Sequence, residues 1–458
     1  MLMNLIKKTF EPAFLKTIFK TAFPIAMQFF LASAVNLIDV VMIGSLGDDA
    51  VAAAGGANQI FFLLNLMLFG INSGASVFLS QFWGTRDLKN VRRTMGMMYL
   101  LGAVAVVVFT VGAVAAPRLL VGFYVHEEPA LSLGATYLRI VGFSYSVTAV
   151  SMILSMACRC TGQVSLPTRA SLLSIGINVS CNAVLIFGLL GFPAMGLAGA
   201  ALATAIARTA ECLFLVLAVY KNQLPPAATP RELFAFDRSF VTKYARAAGP
   251  VLLNEILWSI GTSLYSVAYG MLGTSALAAV QIANTAIQLL FVFTRGMSNA
   301  CGIFIGNRVG QNDREGAIDY GYRFSLLLPV SGMITGLVMI AIHPLFLSLY
   351  QVTEETLALA KTLLILQSLL LCVRADSMAL VVGIFRAAGD TVYACLLDTG
   401  TVWLAGVPLI FLGVWLGLPM WAVVLLGYGD EISKVTLGLI HLRKKQWVRN
   451  VTAQIREG

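Results

Sequence analysis

The chain has 458 residues, of which 58% are hydrophobic and only 12% charged, about half the charged share of an average soluble domain. That composition excludes a disordered chain and a large soluble enzyme domain, because too few polar groups exist to solvate the surface of a globule this size. The net charge of +9 does not mark a nucleic-acid binder, since the basic residues sit singly or in small groups at the ends of apolar runs, as in the loops of membrane proteins.

Apolar runs long enough to span a bilayer are read at 17–44, 52–83, 93–116, 131–157, 165–190 and 194–220. A polar interval, 221–246, follows and holds Pro225, Pro226 and Pro230. Six more runs lie near 247–272, 277–307, 322–349, 356–385, 391–416 and 419–441. The expected fold is an all-α membrane protein of twelve transmembrane helices. It divides into an N-terminal six-helix lobe (1–220), a connection (221–246) and a C-terminal six-helix lobe with a basic tail (247–458). The first run has no small-residue cleavage site behind it and reads as a retained span. Pro24, Pro250 and Pro408 are candidate bend sites.

The halves are repeats. Shifting the sequence by 226 positions aligns Pro24 with Pro250, Leu46-Gly47 with Leu272-Gly273, Asn58 with Asn284, Gly70 with Gly296, Gly84 with Gly310 and Asp87 with Asp313, without a gap. A second echo pairs Arg159-Cys-Thr-Gly162 with Arg386-Ala-Ala-Gly389. Six spans per repeat is an even number, so both lobes enter the membrane with one orientation and are related by a pseudo-two-fold axis along its normal, an arrangement of transporters. With both termini in the cytoplasm, 25 of the 31 basic residues fall on that side. These include Arg159, Arg386 and a tail beginning at Lys434 and ending at Arg456. The acidic pairs Asp48-Asp49, Glu127-Glu128 and Glu354-Glu355 fall on the other side.

Three carboxylates lie inside apolar runs: Asp39 in the first, Glu255 in the seventh and Asp376 in the tenth. A charge at mid-bilayer costs roughly 2.5–3.5 kcal/mol on insertion scales, so each needs a proton, a cation or a basic partner. Arg139 or Arg295 could pair with one of them across the bundle; Arg374 is two residues from Asp376 and faces elsewhere. Glu211 has Arg208 three residues before it, which reads as a structural ion pair. Asp398, Asp430 and Glu431 read as interfacial or structural. Asn178 and Asn182 share one face of the fifth span, where their amide oxygens could help a carboxylate hold a small hard cation or simply join helices. Met67, Phe69, Phe291 and Phe293 could line a cavity but read more readily as core or lipid contacts. His126, His343 and His441 read as incidental, and the seven scattered cysteines form neither a metal nor a disulfide pattern. No phosphate-binding loop or zinc-protease motif is present, so active transport would draw on an ion gradient.

Together these features resemble the multidrug and toxic-compound extrusion (MATE) family of cation-coupled efflux antiporters over essentially the whole chain. The resemblance rests on the two six-span repeats, Asp39-Val-Val-Met-Ile-Gly44, Asn178-x-x-x-Asn182-x-x-Leu-Ile-Phe-Gly188, Gly199-Ala-Ala-Leu-Ala-Thr204, Glu255, and Asp376 leading into Gly383-Ile-Phe-Arg386-Ala-Ala-Gly389-Asp390. It implies that Glu255 and Asp376 hold the coupling cation, Na+ being one candidate, in the C-terminal lobe. It further implies that Asp39, Asn178 and Asn182 form an N-terminal cation site, with Thr204 a further ligand. Asn182 stands where the DinF-type branch carries a second Asp, and the presence of both Glu255 and Asp376 favours the NorM-type branch. The implied function is a multi-pass transporter of the cell membrane, monomeric and not an enzyme. It would export small amphipathic organic cations in exchange for Na+ or H+ by alternating access, and would use no other cofactor and no nucleic acid. Two alternatives stand beside it. A lipid-linked oligosaccharide flippase of the same superfamily would line its cavity with basic residues, and a membrane enzyme acting on lipids would need a His/Asp or Ser/Lys cluster.

Overall fold

The computed structural model describes residues 2–350 and 352–456; the side chains of residues 2, 4, 37, 454 and 456 lie outside it, so nothing is described of the tail residue Arg456 beyond its backbone, or of residues 457–458. The described residues are helical, with no strand among them. Among them, nine helices are long and apolar enough to cross a membrane, and eleven spans result when two bent pairs each count once. The twelfth is Met420–Gly427 followed by Gly429–Lys444, two pieces meeting at Tyr428. The chain is a multi-pass membrane protein of twelve spans.

The spans run longer than the apolar runs suggest. The first is Pro12–Gly44, the second Asp48–Gly84, the seventh Arg238–Met271 and the eighth Thr274–Gly310. At 33 to 37 residues they are about 50–55 Å long, well beyond the roughly 30 Å hydrocarbon core. The sharpest breaks fall away from the candidate bend prolines. Helix continues through Pro24 and Pro250. The 50° breaks lie instead in the fourth span, between Glu128–Gly142 and Tyr145–Cys160, and in the tenth, between Glu354–Leu369 and Leu371–Arg386. Around the fourth-span break Ser144 Oγ donates to the Val141 carbonyl (2.7 Å) and Thr148 Oγ1 to that of Ser144 (2.9 Å). Pro408 acts upstream of itself: its ring cannot donate and crowds the carbonyl four residues back, and the preceding turn, Val402–Gly406, widens to π-helix.

The structure explains why the two halves share particular residues. Asp87 caps the third span by accepting from Asn90 N (3.1 Å), and Asp313 caps the ninth by accepting from Gly316 N (2.9 Å). Gly47 and Gly273 turn the chain between the first two spans of each repeat at φ +102° and +115°, a region that favours glycine. Gly84 and Gly310 lie where the end of the second span meets the eighth. A Cβ on Gly84 would stand 2.3 Å from the Asn307 carbonyl oxygen, and one on Gly310 would stand 1.9 Å from that of Gln81.

Packing divides the chain into two compact units. One comprises Gln28–Leu79 with Asp87–Val241; the other comprises Met1–Met27, Ser80–Arg86 and Thr242–Gly458. The core of the first gathers small residues, Ala53, Ala57, Ala200 and Ala201, around Leu64, Leu68 and Tyr145, the close helix approach expected without a hydrophobic drive between helices. In the second, Phe324, Phe385 and Trp447 are fully buried.

The tail departs from its reading as a basic overhang. Trp447 is 0% exposed and its indole donates to the Leu442 carbonyl (3.1 Å). Arg449 N donates to the Ala388 carbonyl (2.8 Å) and its guanidinium lies 3.2 Å from Asp390. Val451 N donates to Gln81 Oε1 (3.0 Å), at the end of the second span. Gly389, at φ +89°, leaves room for the Arg449 carbonyl, which a Cβ would meet at 2.2 Å.

Candidate functional site

In the unit built mostly from the N-terminal half, the first, second, fourth, fifth and sixth spans enclose a cavity of about 440 Å³. Its walls are largely apolar (Val35, Val40, Ile43, Phe61, Phe62), with Asn36, Asn58, Gln59 and Asn65 among the polar residues. Asp39 faces it from the first span, and Asn178, Thr204, Arg208 and Glu211 face it from the fifth and sixth. Asn182, one turn beyond Asn178, is fully buried; its Nδ2 donates to Asp39 Oδ1 (2.6 Å) and to Asn178 Oδ1 (3.2 Å). The Asn182 side-chain carbonyl oxygen finds no hydrogen-bond partner among the described residues. A carboxylate, two amides and an orphaned buried oxygen thus meet at one wall, a donor set suited to a hard cation.

Arg208 and Glu211 form the expected ion pair (3.1 Å), and Ser171 Oγ also donates to Glu211 (3.0 Å). The pair lines the same cavity as Asp39, which the sequence spacing alone does not indicate. Of the charges facing the cavity, Asp39, Arg208 and Glu211, the two internally paired ones cancel, and Asp39 sets the local sign.

The C-terminal half places its acids differently. Glu255 accepts from Arg386 at 2.7 Å, with both side chains buried. Neither Arg139 nor Arg295, which the sequence offers as possible partners, makes an ion pair among the described residues. Arg386 had been counted as a loop marker; it is 3% exposed, on the π-helical turn Ala379–Arg386. Arg159, its echo in the first half, is also buried and donates to Gln28 (2.8 Å). Asp376 is 6% exposed and its Oδ1 has no hydrogen-bond partner among the described residues, while Arg374 lies over the Phe291 ring, 5.1 Å from its centre. Among the described residues, no three His, Cys, Asp or Glu side chains are grouped to hold a metal ion. A cation here would therefore need amide, hydroxyl or carbonyl oxygens besides the carboxylates.

Lys434, assigned to the tail, is 2% exposed in the last span and bridges Asp398 (3.0 Å) and Asp430 (3.1 Å), with Glu431 at 4.0 Å. Asn254 joins this network by donating to Asp398 (2.9 Å), and Thr399 donates to Asn254 (2.8 Å). His441 is not incidental: its Nε2 lies 2.9 Å from Asp390 and its ring stacks on Tyr393 at 3.7 Å. The remaining apolar candidates divide, with Phe291 buried and Met67, Phe69 and Phe293 about 40% exposed.

A second, smaller pocket of about 190 Å³ opens in this half beside Asp430, Glu431 and Arg374. Its residues from the seventh and eighth spans stand 226 positions after residues lining the first cavity: Thr262 after Asn36, Tyr265 after Asp39, Tyr269 after Ile43, Asn284 after Asn58 and Gln288 after Phe62. The repeat thus builds one cavity twice, with a carboxylate in the first copy where the second has a phenol.

The model of the MatE family matches residues 24–184 and 250–426. The chain is 28% identical over 419 residues to the probable multidrug resistance protein YoeA of Bacillus subtilis (strain 168), an alignment covering 86% of this chain and 88% of that protein. It is 29% identical to the probable multidrug resistance protein NorM of Rhodopseudomonas palustris, with 88% of each chain covered. In fold it resembles a point mutant of the Vibrio cholerae MATE transporter VcmN, with a TM-score of 0.85 and 17% identity over 95% of this chain and 98% of that one. A MATE crystal structure in complex with MaL6 gives a TM-score of 0.84 at 18% identity over 94% and 97% of the two chains.

Proposed function

This chain belongs to the MatE family of membrane transporters, and on that premise we propose that it is a multidrug efflux antiporter exporting amphipathic organic cations in exchange for Na+ or H+. The observation that carries the reading is the 440 Å³ cavity. It has the size of a small-molecule site, largely apolar walls, and one acid, Asp39, that forms no ion pair among the described residues. The curated relatives named for multidrug resistance, matched along most of their length, support the same reading. A flippase for a pyrophosphate-linked lipid is disfavoured, because the one basic residue lining the cavity, Arg208, is held by Glu211.

Asp39 with Asn182 and Asn178 is the N-terminal ion site in this proposal, and Asp376 with Glu255 the C-terminal one. An ion or proton at Asp39 would loosen its hold on a cationic drug in the same cavity, so loading favours release. Alternating access follows if the ion-loaded and drug-loaded forms prefer opposite openings. One charge moving inward supplies about 2.3 kcal/mol per 100 mV. The setting is the cell membrane with both termini cytoplasmic; removing the buried Arg159, Arg386 and Lys434 from the count of basic residues leaves the asymmetry between the two sides standing.

Ethidium efflux from a pump-deficient bacterial host tests this, with wild type, Asp39→Asn, Glu255→Gln and Asp376→Asn compared at equal expression under an imposed Na+ or H+ gradient. We expect tenfold or greater loss in Asp39→Asn and Asp376→Asn, and the gradient that drives efflux identifies the ion. Undiminished efflux in all three variants would remove these residues from the mechanism. A wild type that moves no cation would end the drug-antiporter reading.

A further inference from the structure

On the unit that contains Met1–Met27, a groove of about 930 Å³ runs between the first, eighth and ninth spans. We propose that it is a binding site for one anionic phospholipid, with the phosphate held by Lys16 and Lys20 and the acyl chains laid along the groove. The proposal is independent of the transport reading above.

The head end is built from one helix face. Lys16, Phe19, Lys20 and Phe23 follow at i, i+3, i+4 and i+7, the spacing of a single stripe, and all four are exposed. Phe19 and Phe23 stack with ring centres 5.4 Å apart. Among the described residues neither lysine forms an ion pair, and no carboxylate lines the groove. Two ammonium groups one turn apart, at the mouth of a hydrocarbon surface, match a phosphodiester. The exposed Lys7 and Lys8 add to the positive field from the short helix Leu2–Thr9, tied to the ninth span where Arg323 donates to the Lys8 carbonyl (3.3 Å).

The rest of the groove offers hydrocarbon only. Leu290, Phe293, Met297, Ile334 and Val338 form the far walls. The two hydroxyls, Ser331 and Thr335, donate to their own helix, to the Leu328 carbonyl (2.7 Å) and the Ser331 carbonyl (2.8 Å). The lining begins at Phe10 and Leu15, and from Lys16 to Ala26 it follows ten residues of helix, about 15 Å, half of a roughly 30 Å hydrocarbon core. The stretch beyond the first lysine is therefore as long as one leaflet is deep. An organic cation would meet like charge at the mouth, and a protein segment would find few polar groups to pair its backbone.

The test uses the full-length protein, delipidated in a non-ionic detergent and mixed with phosphatidylglycerol or phosphatidylcholine, with retention read by native mass spectrometry. Phosphatidylglycerol should be retained in preference. The double variant Lys16→Gln/Lys20→Gln should lower its affinity about 25-fold, roughly fivefold per lysine, without changing that for phosphatidylcholine. Ile334→Trp, which fills the groove from an exposed position, should weaken both lipids. Location is read separately in Phe19→Trp: brominated phosphatidylglycerol should quench the added fluorescence more than brominated phosphatidylcholine at equal mole fraction. Equal retention of the two lipids by wild type, or unchanged phosphatidylglycerol affinity in the lysine variant, would overturn the proposal. So would displacement of the lipid by ethidium, or palmitate binding as tightly as phosphatidylglycerol.

Discussion

Arg159 and Arg386 open matching Arg-x-x-Gly turns in the two halves, yet one donates to the amide of Gln28 and the other to the carboxylate of Glu255. Removing one partner of a buried pair costs about 3–5 kcal/mol because the other charge is stranded. Arg386→Met should therefore lower stability by about that amount, measured by thermal unfolding in detergent. Glu255→Gln should cost far less, since the first half already shows an arginine satisfied by a glutamine. A Glu255→Gln protein as unstable as Arg386→Met would refute the comparison. Asp376 presents the opposite case, a buried carboxylate with an oxygen that nothing satisfies. Replacing a buried charge by a neutral group of equal shape removes a desolvation cost. Asp376→Asn should thus unfold at the same temperature as wild type or higher, and lower thermal stability would show that its charge is matched in the fold. That Asp39, Glu255 and Asp376 lie within spans was readable from their isolation in apolar sequence. That Arg386 and Lys434 answer buried acids was not, because a basic residue near the end of a run looks the same whether it faces water or folds inward.

Among the elements, the connection between the halves departs most from its expected character. Residues 221–246 read as a polar linker, but the seventh span begins at Arg238 and the residues before it are tied down. Tyr220 donates to the Ala228 carbonyl (2.7 Å), Ala227 and Ala228 are buried, and Thr229 and Glu232 form a reciprocal cap on the short helix Pro230–Leu233. Arg92 of the third span pairs with Glu232, and Gly96 lies directly beneath Leu233. A Cβ on Gly96 would stand 1.8 Å from the Leu233 carbonyl oxygen, so Gly96→Ala should dislodge the segment at a cost of about 1–3 kcal/mol. Faster amide hydrogen exchange over 226–237 would report it, and unchanged exchange would contradict it. The same readout has a pH dependence. The Thr229 backbone N–H, followed by its hydroxyl and Arg92, holds the Glu232 carboxyl below its usual range. A depressed value contributes docking fully above the unfolded value, about 4.3, and the contribution is lost as pH falls through the lower folded value. Protection of 229–233 should accordingly decline below about pH 4. The span boundaries were legible because hydropathy marks them; the linker's order and the two 50° breaks were not, since they rest on a glycine under a carbonyl and on proline-free turns.

At the scale of the whole molecule, the repeat seen in sequence reappears as two cavities lined at equivalent positions. Capping aspartates, turn glycines and close-approach glycines account for three of the shared pairs. Those residues were legible as a repeat because backbone geometry admits few substitutes. The divergent cavity residues, Asp39 against Tyr265, carry no such signature and needed the fold to be matched. The tail belongs to this scale as well. Trp447 is fully buried against Gly321, and truncating a buried tryptophan to alanine costs about 3–5 kcal/mol. Trp447→Ala should show that loss in unfolding experiments, whereas an unaffected protein would mean that the tail adds nothing to the fold.

The same tail sets an order of assembly. Gln81, made early, holds the Arg449 carbonyl and the Val451 amide, and residues 1–27 pack in the unit that contains 242–458. Chains emerge from the ribosome N-terminus first, at about 5–20 residues per second. The opening stretch of this one must therefore wait in the bilayer, for on the order of half a minute, until its packing partners have been synthesised. Contacts at Gln81 close only after residues 449–451 have left the exit tunnel. A ribosome that stops before Trp447 would release a protein with all its spans inserted and its first segment already packed on the ninth span, yet with the end of the second span lacking its tail partners.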